Sequence, residues 1–272
     1  MSIFRALILG IVQGLTEFLP VSSSAHLIIF PELLGWEKQP LVFDTTLHLG
    51  TALALLVCFW KDISEIIQSL FKDVLKRKTA VKHYSSSSQL GIKILLGSIP
   101  VGFIGLLFEN QIESIFRGVG SVSFFLILGS ILMYISEKKM KKSLLVKDEL
   151  SFSNSFKVGL FQILSLFPGV SRSGSTISGG MIFGLSRKEA TRFSFLVSIP
   201  VVTAAGVYKL ITSMMYFSAV DIVPMFFGFT SSFVVGTFAI KFMLKFVKNN
   251  KLYPFIIYRV LLATFLLVSL LL

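Results

Sequence analysis

The chain has 272 residues, of which 54% are hydrophobic and only 15% are charged. A soluble chain of this length could not bury so many fully apolar helices in one core, so the composition predicts an integral membrane protein. The net charge of +12 would suit a nucleic-acid partner in a soluble protein. Here the cations cluster in the connections, where they orient a membrane protein, so we expect the lipid bilayer and no nucleic acid as partner.

Two apolar segments are broken near their middles. Residues 2–30 are interrupted by Leu19-Pro20-Val21-Ser22-Ser23-Ser24, and residues 155–185 by Phe167-Pro168-Gly169-Val170-Ser171-Arg172-Ser173. Proline disrupts a helix, and a turn rich in serine and glycine lets the chain reverse. Each segment is therefore predicted to be a re-entrant helix–loop–helix. Irregular backbone at membrane depth must be buried in protein or line a wet cavity.

Six further segments are long and apolar enough to cross a membrane: 41–60, 91–108, 118–136, 190–212, 221–243 and 255–272. The basic connections are predicted to be cytoplasmic loops: 61–89, 137–154 and the turn with Lys245, Lys248 and Lys251. The connections 31–40, 109–117 and 213–220 carry few cations and are predicted to lie outside. The predicted fold is all-α and polytopic, with about six transmembrane helices and two re-entrant segments.

With the basic connections in the cytoplasm, residues 2–30 are predicted to enter the membrane from the outside and residues 155–185 from the cytoplasm. Two short echoes link the halves: Gln13…Leu19-Pro20-Val21-Ser22-Ser23 with Gln162…Phe167-Pro168-Gly169-Val170-Ser171, and Ser98-Ile99-Pro100-Val101 with Ser198-Ile199-Pro200-Val201. Two halves of opposite topology form an inverted repeat that builds a site near the midplane. We predict a single membrane domain, 1–272, with halves at about 1–136 and 155–272 joined by the basic loop 137–154.

Ionisable residues inside a membrane are costly, so each is a functional candidate. In the first broken segment Gln13 and Glu17 share a helix face, and Ser22, Ser23, Ser24 and His26 follow. Glu17 is a candidate general base or metal ligand, and the alternative is a protonated structural carboxyl. His26 or a serine is a candidate nucleophile or proton donor. We expect His48 and His83 to be structural or solvated.

The second broken segment supplies hydroxyls, an arginine and glycines: Ser171, Arg172, Ser173, Ser175 and Thr176, with Gly169, Gly174, Gly179 and Gly180. A guanidinium fork beside hydroxyls and a helix N-terminus is typical of a phosphate cradle. One alternative is an Arg172–Glu17 ion pair without ligand, and the glycines also suit plain helix packing. Facing a carboxylate at membrane depth, the cradle favours hydrolysis of a lipid-linked phosphate. A transporter or flippase is the alternative, because opposed broken helices are also transporter architecture.

Two motifs carry a resemblance to a known family. Gln13-Gly14-Leu15-Thr16-Glu17-Phe18-Leu19-Pro20-Val21-Ser22-Ser23 with His26, and Pro168-Gly169-Val170-Ser171-Arg172-Ser173-Gly174-Ser175-Thr176, resemble the two signatures of the undecaprenyl-diphosphate phosphatases of the bacitracin-resistance type. The resemblance covers essentially the whole chain. It implies release of inorganic phosphate from undecaprenyl diphosphate to give undecaprenyl phosphate, the lipid carrier of cell-wall synthesis. It also implies bacitracin resistance and a multi-pass location in the bacterial plasma membrane.

The resemblance also implies roles for individual residues. Catalytic candidates are Glu17, Ser23, His26 and Arg172, and substrate-binding candidates are Gln13, Ser22, Ser24, Gly169, Ser171, Ser173 and Thr176. A homodimer and a response to Mg²⁺ or Ca²⁺ are implied, without a tightly bound cofactor. Two positions depart from the pattern: Gln13 weakens a two-carboxylate metal site, and Ala25 replaces a common glycine. The phosphatidic-acid type is excluded, because no histidine follows Ser171-Arg172.

Overall fold

The computed structural model describes residues 1–76, 80–142, 149–213 and 222–270. Within these ranges the chain forms α-helices and no strand, which confirms the all-α prediction. The helices are α1 (Ile3–Phe18), α2 (Ser23–Leu33), α3 (Leu41–Cys58), α4 (Trp60–Leu75), α5 (Ser86–Phe116), α6 (Val119–Lys142), α7 (Phe152–Ile163), α8 (Arg172–Ile182), α9 (Arg187–Ser213), α10 (Ile222–Asn249) and α11 (Tyr253–Ser269).

Helices long and apolar enough to cross a membrane dominate the fold. Among the described residues these are α3, α5, α6, α9 and α10, and α11 is a shorter apolar helix of 17 residues. Large apolar side chains face outward on several of them; Leu106, for example, is 75% exposed and Phe238 is 67% exposed. Such surfaces are stable against lipid tails and not against water. The prediction of a polytopic membrane protein with about six crossings is confirmed.

Several predicted loops are helical instead. Most of the predicted loop 61–89 forms α4, an amphipathic helix whose lysines lie on a polar face. The density of charged residues favoured a loop because their spacing on one helix face was not considered. Asp73 near its end accepts hydrogen bonds from Ser85 N and Ser88 Oγ, at 2.7 and 2.8 Å. These contacts tie the end of α4 to the start of α5. The predicted outer connection 109–117 is almost wholly the end of α5, which continues to Phe116.

The other basic connections are also shorter than predicted. Helix α6 continues to Lys142, α7 begins at Phe152, and residues 143–148 lie outside the described ranges. The buried Glu137 carboxylate explains this extension, because it accepts hydrogen bonds from Arg187 and from Leu252 N. Lys245 and Lys248 belong to α10 rather than to a turn. The predicted connection 213–220 falls almost entirely outside the described residues.

The two broken segments share one local geometry. Ser22 caps α2 with φ 76°, and Ser171 caps α8 with φ 77°. In the described part of the chain these are the two non-glycine residues with positive φ. In each cap the serine Oγ accepts from the backbone N–H three residues on, Ala25 N and Gly174 N. Each capping serine and its N–H donor in the first segment therefore have counterparts at the same separation in the second. This equivalence supports the predicted repeat.

The second sequence echo has a different explanation. Its two copies lie on α5 and α9, which hold different places in the order of helices after the broken segments. They pack against one another, since Ser98 Oγ donates to the Val197 carbonyl at 3.3 Å. This echo therefore does not mark equivalent helices. The division into inverted halves stays a prediction.

Candidate functional site

Glu17 is the centre of the candidate site. It lies in the last turn of α1 and is buried. Its Oε2 accepts hydrogen bonds from Ser23 Oγ at 2.5 Å and from Gln13 Nε2 at 3.1 Å, and its Oε1 accepts from Arg172 Nη2 at 2.7 Å. A carboxylate with three donors, one of them cationic, is stabilised in its charged form. The structure thus joins residues of the two broken segments.

Arg172 opens α8 directly after the Ser171 cap and is largely buried. Only Nη2 reaches Glu17. Its Nε and Nη1 are buried and have no hydrogen-bond partner among the described residues. Buried guanidinium donors without acceptors are costly, and a phosphoryl group is a ligand that would satisfy them.

A cavity of about 220 Å³ adjoins the ion pair. Glu17, Ser24 and Arg172 line it, together with His48 and Ser165. Apolar side chains form much of the remaining wall: Leu27, Ile28, Leu41, Val101, Leu166, Val201, Val202 and Ala205. Pockets for drug-sized ligands measure roughly 300–1,000 Å³. The volume therefore suits a diphosphate head group, with any long hydrocarbon tail outside the cavity.

His48 lies beside Glu17 and lines the cavity, whereas the sequence predicted a structural or solvated histidine. Its Nδ1 donates to the Asp44 carbonyl at 2.8 Å, and its Nε2 lies 3.8 Å from Glu17 Oε2. One third of the side chain is exposed to the cavity side. Its position on α3 gave no local signal, since the contact with Glu17 exists only in the packed structure.

Two ion pairs lie farther along the same cavity. Arg117 pairs with Asp44 at 2.9 Å, and Lys209 pairs with Glu109 at 2.6 Å. All four residues line the cavity. They come from the start of α3, the end of α5 and the residue that follows it, and α9, so charged groups of both signs line the cavity.

His26 is held away from Glu17 in the described contacts. Its Nδ1 donates to the Ser22 carbonyl at 2.7 Å, and its Nε2 lies 2.6 Å from the Tyr258 hydroxyl. The ring stacks on Tyr258 and is buried. Because the carbonyl can only accept, neutral His26 carries its proton on Nδ1 and accepts from Tyr258 through Nε2. Both nitrogens are thus occupied, and His26 is not among the residues that line the cavity.

The remaining predicted residues shape the loops. Ser22 and Ser171 are helix caps, and Ser173 Oγ donates across to the Leu19 carbonyl at 3.2 Å. Thr176 is buried between the Arg172 carbonyl and Ser194 Oγ. Gly169 has φ 112°, and a Cβ there would lie 2.6 Å from the Val122 carbonyl. Of the predicted substrate-binding residues, Ser24 lines the cavity. The binding roles of the others remain predictions.

The donor set around Glu17 does not suit a divalent cation. The described residues contain no group of three or more histidine, cysteine, aspartate and glutamate side chains that could hold a metal. Glu17 is already occupied by a guanidinium and by amide and hydroxyl donors, whereas Mg²⁺ and Ca²⁺ need several oxygen ligands. We therefore derive no step through a protein-bound metal.

Comparison with known proteins gives a consistent result. The sequence model of the family described as bacitracin resistance protein BacA matches residues 6–265. A protein named undecaprenyl-diphosphatase from Chloroherpeton thalassium is 41% identical, covering 99% of this chain and 97% of that protein. Proteins of the same name from Geotalea daltonii and Methanosphaera stadtmanae are each 39% identical. They cover 96% and 95% of this chain, and 95% and 94% of their own lengths.

Proposed function

Because the chain belongs to the bacitracin resistance protein BacA family, we propose that it is an undecaprenyl-diphosphatase of the bacterial plasma membrane. It hydrolyses undecaprenyl diphosphate to undecaprenyl phosphate and inorganic phosphate, which recycles the carrier and confers bacitracin resistance. One observation carries the proposal: a carboxylate, a hydroxyl and an arginine with two unpartnered donors meet beside a cavity of head-group size. A transporter has no need of a hydroxyl hydrogen-bonded to a buried carboxylate.

Ser23 is the nucleophile in this proposal. Its hydroxyl donates to Glu17 at 2.5 Å, so Glu17 can take the proton as the oxygen attacks the terminal phosphorus. The bond from phosphorus to the bridging oxygen breaks, and undecaprenyl phosphate leaves. Glu17 gives the Ser23 proton to the departing phosphate oxygen, so it can take a proton from the water that then attacks the phosphoserine. Glu17 returns this proton to the Ser23 oxygen as inorganic phosphate is released. Direct attack by water on the substrate, with Glu17 as base, is the competing route.

Arg172 stabilises the charge of the transferred group. Its unpartnered Nε and Nη1 donate to phosphoryl oxygens, while Nη2 keeps its bond to Glu17. His48 faces the same space, with its ring fixed by the Asp44 carbonyl. A proton on Nε2 would let it donate to an oxygen of the substrate. His26 is a less suitable reactant, since both of its ring nitrogens are engaged.

Asp44, Glu109 and Arg117 line the cavity and lie in or near the segments 31–40 and 109–117, which are predicted to lie outside. This placement supports access from the outer leaflet, where spent carrier appears. The homodimer remains a prediction.

Phosphate release from undecaprenyl diphosphate by purified protein in detergent tests the proposal. We expect turnover that is strongly reduced by Glu17→Gln. A folded wild-type protein that releases no phosphate but moves the lipid between leaflets of a vesicle would favour the transporter.

A further inference from the structure

Arg259 of α11 donates hydrogen bonds to both broken loops. It is fully buried, and it is not a residue of the cavity. Among the described residues its hydrogen-bond acceptors are three backbone carbonyls and one hydroxyl, and no carboxylate pairs with it. An unpaired cation inside a membrane protein is costly and rare, so its position calls for a reason.

The acceptors of Arg259 give that reason. Nη1 donates to the Pro20 carbonyl at 3.2 Å, and Nη2 donates to the Gly169 carbonyl at 2.9 Å. Pro20 lies two residues before the Ser22 cap, and Gly169 lies two residues before the Ser171 cap. One guanidinium therefore binds the equivalent carbonyl of each loop. The remaining bonds run from Nε to Ser130 Oγ at 3.0 Å and from Nη2 to the Leu126 carbonyl at 3.0 Å, and both fix it on α6.

The loops need such a donor. Their carbonyls lie where the helices are interrupted, and lipid offers no water to satisfy them. The neighbouring crossing helices have used their own backbone N–H groups. A planar fork with five donors can serve several carbonyls at once. Gly129 leaves the room that this fork needs, since a Cβ there would collide with Arg259 Nη2 and with the Val170 carbonyl.

The same helix holds the first loop at a second point. Tyr258 binds and stacks on His26, which lies in the first turns of α2. Helix α11 thus contacts both loops.

We propose that Arg259 is a positioning residue: it ties the two loops together so that Ser23 and Glu17 of one face Arg172 of the other. It touches no substrate. Without it each loop keeps its own cap, but their relative position is no longer fixed. This inference rests on the proposed phosphatase function only in its kinetic test.

The kinetic test uses Arg259→Lys, which keeps the charge but replaces the three guanidinium nitrogens with one. A misplacement of about 1 Å between reacting groups costs roughly 10²-fold in rate. We expect kcat to fall by about that factor while KM changes little, because head-group binding by Arg172 persists. The matched control is Ser130→Ala, which removes one acceptor of Arg259 but neither loop carbonyl. We expect it to keep wild-type kcat. Melting in detergent, followed for each variant, gives the folded fraction.

A second measurement does not depend on activity. Spin labels are attached to cysteines introduced by Leu34→Cys at the end of α2 and Leu160→Cys on α7, in a Cys58→Ser background. Both positions are exposed. We expect a narrow distance distribution with Arg259 and a broader or shifted one with Arg259→Lys. Wild-type kcat in folded Arg259→Lys, or a kcat loss that only follows the folded fraction, would overturn the proposal. An unchanged distance distribution would do the same. If the wild type itself releases no phosphate, the proposed function fails and the distance measurement still decides this inference.

Discussion

Glu17 Oε1 and Arg172 Nη2 lie 2.7 Å apart, although 155 positions separate the two residues in the chain. This ion pair makes the site a product of both broken segments, so neither segment forms it alone. It also means that removal of either partner leaves a buried charge unpaired. Tests of catalysis must therefore be accompanied by measurements of folding.

Arg172→Lys should lower kcat/KM by about 10²–10³-fold, because an ammonium cannot supply the separate Nε and Nη1 donors. Phosphate release from undecaprenyl diphosphate measures the effect. Arg192→Lys is the matched control. Arg192 pairs with Asp62, and this partly exposed pair contributes about 1 kcal/mol or less. Near-normal turnover in Arg172→Lys would contradict the cradle.

Glu17→Gln should lower kcat by about 10²–10⁴-fold, the usual contribution of a general base. The amide keeps the size of the side chain but cannot take the Ser23 proton. Glu149→Gln serves as control, because Glu149 pairs with Lys93 and its side chain is 63% exposed. If Glu17→Gln remains active and folded, Glu17 is not the general base and its carboxyl has a structural role.

Ser23→Ala should reduce phosphate release by about three orders of magnitude or more if Ser23 is the nucleophile. Acid quenching with substrate labelled in its terminal phosphate should trap a labelled wild-type protein, with the label on Ser23. Ser114→Ala is the control. Ser114 is exposed, does not line the cavity, and donates to the Gln111 carbonyl at 2.9 Å. Slow but measurable turnover without trapped label would indicate direct attack by water.

The two histidines should respond differently to the same change. His48→Gln should lower kcat/KM with little loss of stability, because its Nε2 faces Glu17 and the cavity. His26→Gln should lower the free energy of unfolding by about 1–3 kcal/mol, because it breaks buried hydrogen bonds to Ser22 and Tyr258. Melting and turnover of both variants give the comparison. If His26→Gln is as stable as the wild type but loses activity, His26 takes part in catalysis, as the sequence suggested.

Gly169→Ala should destabilise the protein by about 1–3 kcal/mol, since φ is 112° and the new Cβ would crowd the Val122 carbonyl. Gly35→Ala is the control. Gly35 also has positive φ, at 63°, but a Cβ there meets nothing within 4 Å. It should cost about 1–2 kcal/mol at most. Equal melting temperatures for the two variants would show that packing against α6 contributes nothing.

The sequence predicted the class of the fold and the members of the ion pair. Apolar runs and two Pro-Ser interruptions are local signals, so the crossings and the broken segments could be read from them. The sequence did not predict helix α4, because the many charged residues of this segment favoured a loop over its short amphipathic pattern. The extension of α6 depends on Glu137 bonding to Arg187 and Leu252, which are distant in the chain.

Residues around the site were harder to assign. Glu17 and Arg172 stood out as ionisable groups in apolar segments. His48 lies on a different helix, and nothing near it in sequence points to Glu17. His26 stood beside the right residues, yet its ring is engaged by Tyr258, 232 positions later. Arg259 is an ionisable residue in the predicted crossing 255–272, but the sequence did not indicate its acceptors, which are three backbone carbonyls and the Ser130 hydroxyl.

The paired caps Ser22 and Ser171 have one backbone geometry but are followed by different first helical residues, Ser23 and Arg172. An identical turn thus presents a hydroxyl in one arm and a cation in the other. In the proposed mechanism the site therefore has a fixed polarity, because the nucleophile belongs to one arm and the charge-stabilising cation to the other. A symmetrical version, with serine or arginine in both places, would hold the same shape and lack half of the chemistry. Two turns of one backbone geometry, followed by different residues, thus take different roles in the proposed reaction.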